Sequence, residues 1–358
     1  MRRAVPVPAA LRWFTVFHRR ADSSVTPHIP DPLTPHPFDV FVFPIIDWDF
    51  RFQRPQHLAT QFALRGHRVF YFDTDFLPDD CIFEPAPVQA APNVWRWKLP
   101  GSRRPPNIFA SLPTEGQLTA MLLGLRRLRD VFEIGATLCV VDYPFWWSLV
   151  QRLSNCITVY DCMDDYTSFR QAGPPAFELE PLILRGADLV VCSSVHLQDR
   201  ARNLGAPNPH LVRNAVDPEH YRIPPPKLAI EPDGRTIGCH GAISDWTDLE
   251  LIAYAAESLP THRFVLVGGS DVDMSAMERL PNVVLTGEVP YTQLPAYLHA
   301  FDIGILPYRI CDYALASDPM KVWEYLSAGK PVVSVRFPEV ERYHGIIELA
   351  STREEFVA

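Results

Sequence analysis

Several signatures are missing from this chain, and each absence removes a class of chemistry. Neither Gly-x-Gly-x-x-Gly nor a Walker A sequence occurs, so nicotinamide enzymes and P-loop ATPases lose their phosphate cradles. No Gly-x-Ser-x-Gly elbow occurs, so α/β-hydrolase chemistry lacks its nucleophile. The seven cysteines include no Cys-x-x-Cys pair, and their odd count and irregular spacing argue against a disulfide framework or a zinc site. Cys139, Cys192 and Cys239 lie in apolar runs and read as small core residues. A reducing, cytoplasmic setting fits that usage. No apolar stretch reaches the ~18–20 residues of a membrane span. Positive charge is also short: 33 Lys and Arg against 42 Asp and Glu give a net charge of −9, which argues against a nucleic-acid partner.

What is present is an ordinary globular composition, 47% hydrophobic and 21% charged over 358 residues. That length suggests two domains, because single cores rarely grow much beyond ~250–300 residues. Residues 1–36 stand apart, with five arginines, several prolines and the patch Leu11-Arg12-Trp13-Phe14-Thr15-Val16-Phe17. They read as a disordered leader, with a weak peripheral contact to anionic lipid as the alternative.

From residue 37 onward, apolar runs alternate with amphipathic stretches. Strands are expected at Asp39–Ile45, Arg68–Phe72, Thr137–Val141, Cys156–Tyr160, Asp188–Cys192 and His210–Arg213. A helix opens at Arg54-Pro55 and closes at Gly66, another covers about 114–130, and the proline-rich residues 77–113 read as irregular. After a connector with Pro224-Pro225-Pro226 and Pro232-Asp233-Gly234, the alternation restarts at Thr236–Cys239. It continues through strands at Phe264–Val267, Asn282–Leu285, Asp302–Leu306, Pro331–Val335 and Ile346–Leu349. Strands alternating with helices imply parallel sheets covered on both faces. The expected organisation is therefore two α/β units, 37–222 and 223–358, with the ligand in the cleft between them. At the end of the sequence Ser351-Thr352-Arg353-Glu354 reads as a capping box with few residues after it, so the last helix is expected to be cut short.

The most informative segment is Ser317–Pro331. Asp318 suits an N-cap, Pro319 the first helical position, Gly329 the left-handed residue after the helix, and Pro331 forbids continuation. Lys321 is the odd member, because a cation in the first turn opposes the helix dipole. An anion at the helix start, such as a phosphate, accounts for it. Glu324 shares that helix face and can accept from a sugar hydroxyl; the alternative is a solvated Lys–Glu pair. Gly238-Cys239-His240-Gly241-Ala242-Ile243-Ser244-Asp245-Trp246 follows the first strand of the second unit, and its glycines let a ligand approach the backbone.

These residues together resemble the retaining glycosyltransferases of the GT-B fold, specifically glycosyltransferase family 4. Asp318–Val333 is similar to that family's donor-site helix, and Arg213-Asn214-Ala215-Val216-Asp217 to its linker, with Ala215 in place of Gly. Trp48, Arg54-Pro55-Gln56-His57-Leu58-Ala59, Gly66-His67-Arg68-Val69, Tyr160-Asp161-Cys162-Met163-Asp164-Asp165 and Gly241–Trp246 resemble the teichuronic acid biosynthesis branch. The resemblance implies two Rossmann-like domains. It also implies transfer of a sugar from a nucleotide diphosphate sugar to a hydroxyl acceptor, with retention, in cell-envelope or exopolysaccharide synthesis. The acceptor is expected to be a saccharide or lipid-linked. The resemblance puts Glu324 on the nucleotide ribose. The companion Glu that contacts the donor sugar would fall eight residues earlier, where Ala316 stands, with Asp318 as its stand-in. The phosphate-holding Arg and Lys are absent from Gly241–Asp248, so Lys321, Arg309 and the Gly238–Ser244 amides are expected to take their place without a metal or other cofactor. Donor binding is thus assigned to Gly241, Ala242, Ser244, Arg309, Asp318, Lys321 and Glu324. The acceptor side is assigned to Trp48, Arg54, Asp161, Asp164 and Asp165. No nucleophile is assigned. Asp73-Thr74-Asp75 and Asp271-Val272-Asp273 imitate a metal-binding Asp-x-Asp, but so short a pattern arises easily by chance. Two other readings stay open: a non-catalytic nucleotide-sugar-binding relic, and a sugar-nucleotide epimerase of the same fold.

Overall fold

The structure, a computed structural model, describes residues 38–78, 86–170, 172–231 and 234–358. The expected leader at 1–36 and residues 232–233 of the connector lie outside the described residues. The first sheet holds β1 (Asp39–Phe43), β2 (Val69–Phe72), β3 (Val88–Ala91), β4 (Val94–Trp97), β5 (Thr137–Val141), β6 (Cys156–Cys162), β7 (Leu189–Cys192) and β8 (His210–Leu211). Its order is β3-β4-β2-β1-β5-β6-β7-β8, parallel throughout except for the edge pair β3–β4. The second sheet holds β9 (Thr236–His240), β10 (Arg263–Val267), β11 (Val283–Gly287), β12 (Ile303–Leu306), β13 (Val332–Val335) and β14 (Glu348–Ala350). Its order is β11-β10-β9-β12-β13-β14, all parallel. In β1 the apolar run 40–43 is buried along its whole length, as expected of a central strand covered on both faces.

In each sheet the chain winds outward from one strand and then returns to that strand's other side. The reversals fall between β1 and β5 and between β9 and β12. Crevices beyond the carboxyl ends of such strand pairs are the ligand sites of open α/β sheets.

The structure departs from the sequence reading at definite places. The stretch 77–113 is not wholly irregular, because β3 and β4 lie within it. Trp95 stacks on Phe70 at 5.7 Å, and Asn93, with φ 58°, makes the turn between the two strands. These strands are too short to show an alternating pattern. The domain crossing comes before residue 222. The Pro218–Arg222 helix belongs to the second unit, where Tyr221 is fully buried in that unit's core. At the other end the Arg353–Val357 helix is capped by Thr352, not Ser351; Thr352 accepts from the Glu355 amide, and Glu355 accepts from the Ser351 amide. Phe356 anchors this helix in a separate core cluster of the second domain, with Ile252, Ala256 and Leu266. Among the described residues no helix is long and apolar enough to cross a membrane.

Candidate active site

The Met320–Ser327 helix begins one residue later than the sequence suggests. Pro319 is the N-cap, and the Asp318 side chain makes no capping bond. Its exit matches the expectation. Gly329 has φ 70°, its amide donates to Leu326 O, and the Lys330 amide donates to Tyr325 O, so the last carbonyls are satisfied in a Schellman turn. Val322 and Tyr325 are fully buried in the second core. The Tyr325 hydroxyl accepts from the His240 amide at 3.1 Å and lies 3.3 Å from Gly238 O. That bond pins the helix beneath the end of β9, so Lys321 and Glu324 emerge at the second switch point.

Between the domains lies a cavity of about 720 Å³, within the size range of small-molecule sites. Lys321 and Glu324 are on its wall with Gly241 and Ala242. Lys321 sits directly over Gly241: a Cβ on that glycine would come within 2.5 Å of Lys321 Cε. The Lys321 ammonium lies 3.5 Å from the Tyr308 hydroxyl. Burial alone lowers its pKa, but Tyr308, Cys239 and Glu324 outweigh burial and hold the cation charged. Glu324 is buried; Oε1 accepts from the Tyr221 hydroxyl at 2.9 Å and Oε2 lies 3.2 Å from His240 Nε2. Burial opposes its charge, yet His240, Tyr221 and Lys321 prevail and keep its pKa below the ordinary value. A solvated Lys–Glu pair is therefore the wrong description.

The other donor-side residues divide. Asp318 lines the cavity but is engaged, accepting from the Asn214 amide at 2.8 Å and from Arg342. It braces the crossing segment against the helix and does not stand free in place of the missing Glu. Ala316 ends the Asp312–Ala316 helix and is buried in the core of the first domain. Ser244 is buried off the cavity wall, and its amide donates to Thr247 Oγ1. Arg309 is exposed and outside the lining, because it lies beyond Tyr308 after β12 has ended. The expected ring of free loop amides is also mostly spent: His240, Gly241, Ile243 and Ser244 donate to Tyr325, Val267, Gly269 and Thr247 respectively.

On the first-domain wall, Trp48 lines the cavity, its ring edge-on to Tyr71 at 5.2 Å and to Phe52 at 6.0 Å. Arg54 lines the cavity, whereas Asp161 lies behind it. They form a buried bidentate pair at 2.7 and 2.8 Å, and Arg54 also donates to Arg213 O and Asn214 Oδ1. Asp165 caps a turn, accepting from the Thr167 amide and hydroxyl, and lies off the wall. Asp164 is the acidic residue of this group that reaches the cavity. Burial, with Asp161 nearby, raises its pKa to about 7 despite Arg54.

Arg51 was expected in the cleft-side loop, but its partner Glu288, the wall residue His240 and, behind the wall, Tyr221 escaped the sequence reading. His240 ends β9 at the switch point, a position that could have identified it. Tyr221 left no signal, because its contact with Glu324 spans 103 positions of sequence. Arg51 and Glu288 pair across the cleft at 3.0 and 2.6 Å, and Phe52 stacks on Tyr291 at 4.6 Å. In the two Asp-x-Asp segments, Asp75 faces Lys98, and Asp273 accepts from Ser275.

Comparison with known proteins places this geometry. Residues 234–357 match the family profile of the group 1 glycosyl transferases. Over 206 residues the chain is 32% identical to a Bacillus subtilis (strain 168) protein provisionally named teichuronic acid biosynthesis glycosyltransferase TuaH. That match takes in 51% of the chain and 51% of the relative, so the chain spans about half the length of the curated protein it matches. Among solved structures it is similar to sucrose-phosphate synthase from Thermosynechococcus elongatus, at 16% identity, 89% of this chain, 88% of that one and a TM-score of 0.63. It is similar also to HepE of Anabaena in complex with UDP and glucose, at 15% identity, 89% and 88% coverage and a TM-score of 0.62. At such identities the likeness is one of fold: two Rossmann-like domains facing across a cleft, the GT-B arrangement.

Proposed function

We propose that this chain is a retaining glycosyltransferase that moves a sugar from a nucleotide diphosphate sugar to a hydroxyl acceptor. The observation that carries the reading is Lys321 lying over Gly241, with Glu324 one turn further along the same cavity wall. The diphosphate leaving group develops negative charge as its bond to the anomeric carbon loosens, and a cation placed beside it stabilises that charge. Lys321 fills this role, with no metal or other cofactor assigned to it. Glu324, held ionised and oriented by Tyr221 and His240, accepts from the ribose hydroxyls. Attack comes from the donor's own leaving face, and the departing phosphate takes the acceptor proton, so no protein nucleophile is assigned. Asp164 and Trp48, on the opposite wall, receive the acceptor hydroxyl and a sugar face. Cell-envelope or exopolysaccharide synthesis, on a saccharide or lipid-linked acceptor at the cytoplasmic side of a membrane, is the setting we assign. The similarity to the Bacillus protein and the profile match over 234–357 support it.

The test is to incubate purified protein with UDP-, GDP- and ADP-sugars, with and without saccharide acceptors, and to measure nucleoside diphosphate release. Release that disappears in Glu324→Ala and in Lys321→Ala is expected. A second reading, a nucleotide-sugar binder without turnover, is favoured by Ala316, which offers no carboxylate and is buried against the first domain. Saturable binding with no release under any acceptor selects that reading.

A further inference from the structure

The cavity has few cations to set against a diphosphate. Arg54 is committed to Asp161, and Arg309 lies outside the lining. Among the described residues, Lys321 and Arg51 are the other two Lys or Arg side chains on the wall. They stand at opposite ends of one glycine floor. A Cβ on Gly241 would meet Lys321 Cε at 2.5 Å, one on Gly268 would strike Gly241 O at 2.0 Å, and one on Gly269 would come within 3.4 Å of Arg51 Nη2. Gly241 and Gly268 therefore touch backbone to backbone on the wall, and Gly269 follows directly in the chain, so no side chain from these three positions stands between Lys321 and Arg51.

At the Arg51 end an anion is already in place. The Glu288 carboxylate accepts from Arg51 Nε at 3.0 Å and from Arg51 Nη2 at 2.6 Å, and from the Gly269 amide at 2.9 Å. A guanidinium fork and a backbone N–H converging on one anion make a phosphate-type site. Yet this occupant is weakly held. The Glu288 side chain is 45% exposed and that of Arg51 22%, and exposed pairs contribute little net stability.

We propose that Arg51 and the Gly269 amide form the second half of the donor diphosphate site, and that Glu288 occupies it as an internal anion until the diphosphate displaces it. The proposal rests on the nucleotide diphosphate sugar reading of this cleft. Lys321 grips one end of the diphosphate and Arg51, from the other domain, grips the other end. A ligand carrying more than one negative charge outcompetes a single carboxylate for the guanidinium. Exchange of Glu288 for ligand also keeps Arg51 over the floor, so the bridge between the domains is preserved while the donor is bound.

The experiment is calorimetric titration of UDP, GDP and ADP, each with its nucleoside, into wild type, Glu288→Gln, Arg51→Ala and the double variant. For the diphosphate that binds, Glu288→Gln is expected to tighten affinity about two- to fivefold, since it removes the competitor and spares Arg51. Arg51→Ala is expected to weaken diphosphate binding about tenfold while leaving the nucleoside almost unchanged. The double variant should bind as weakly as Arg51→Ala. Arg51→Gln replaces Arg51→Ala if that variant does not fold. Unchanged or weaker diphosphate binding by Glu288→Gln, with wild type binding, overturns the displacement while leaving the donor reading intact. No binding of any diphosphate to wild type or Glu288→Gln overturns both.

Discussion

Lys321 and Glu324 are adjacent on one helix face, yet their surroundings give them opposite tasks. Glu324 accepts at Oε1 from the Tyr221 hydroxyl and has His240 Nε2 3.2 Å from Oε2, so it is oriented before any ligand arrives. Lys321 lies over Gly241, with the Tyr308 ring and hydroxyl beside it and the charge of Glu324 nearby. Lys321→Met keeps the stem and removes the charge. It is expected to weaken nucleoside diphosphate binding by about tenfold or more in a calorimetric titration, with the nucleoside alone little affected. Asp164 makes a separate prediction. Its carboxyl titrates near 3.8 when unfolded and near 7 in the native cleft, because burial disfavours the charge. Between those values the native state holds a proton that the unfolded chain releases, so stability falls as pH rises from about 4 to about 7 and is flat above. Asp164→Asn removes that slope. Melting curves across this range should show the variant gaining on wild type as pH rises, and a constant difference would refute the assignment.

The glycines show how elements set these residues in place. Gly241 has φ 102°, and its missing Cβ is what leaves Lys321 room. Gly241→Ala meets only the end of a flexible side chain, so the protein should fold with a loss of about 1–2 kcal/mol for the left-handed backbone. The ammonium, however, is pushed off the floor, and diphosphate affinity should drop alongside. Gly268→Ala meets the Gly241 carbonyl oxygen at 2.0 Å, which is backbone and cannot swing aside. Thermal unfolding should therefore show a much larger loss for Gly268→Ala than for Gly241→Ala. These elements also mark how far the sequence is readable. Apolar runs placed most of the strands, and proline and glycine punctuated the Met320–Ser327 helix, because those signals are local. β3 and β4 were illegible because four residues cannot display a period, and their sheet position depends on β2. Arg54 and Asp161 read as acceptor ligands because charged residues in cleft-side loops usually face solvent. Here they satisfy one another, and only a structure shows a pairing across 107 positions. Arg51–Glu288, at 237 positions, was hidden for the same reason.

At the scale of the whole molecule, one polar chain runs from the first domain's core to the donor helix. Asp161 holds Arg54, Arg54 holds Arg213 O and the Asn214 side chain, and Asn214 donates from its backbone to the Asp318 carboxylate and from its side chain to Asp318 O. Arg342 holds both Asp318 and Glu339, and Glu339 returns to Arg213 and to the Val195 amide of the first domain. The crossing segment is thus tied on both sides, and its geometry fixes where the donor helix begins. Asp161→Asn leaves the Arg54 guanidinium buried without its counter-charge, at a cost of about 3–5 kcal/mol. Because Arg54 then relaxes its hold on Asn214, the loss should extend to the cleft and weaken nucleoside diphosphate binding. A control separates this from simple destabilisation. Asp39 pairs with Arg68 at 2.7 Å, and it opens β1 at the end of the sheet away from the cleft. Asp39→Asn should lower stability in chemical denaturation and leave affinity at the wild-type value. Equal effects of the two variants on affinity, once each is compared at matched stability, would show that the polar chain carries no coupling between the first domain's core and the donor site.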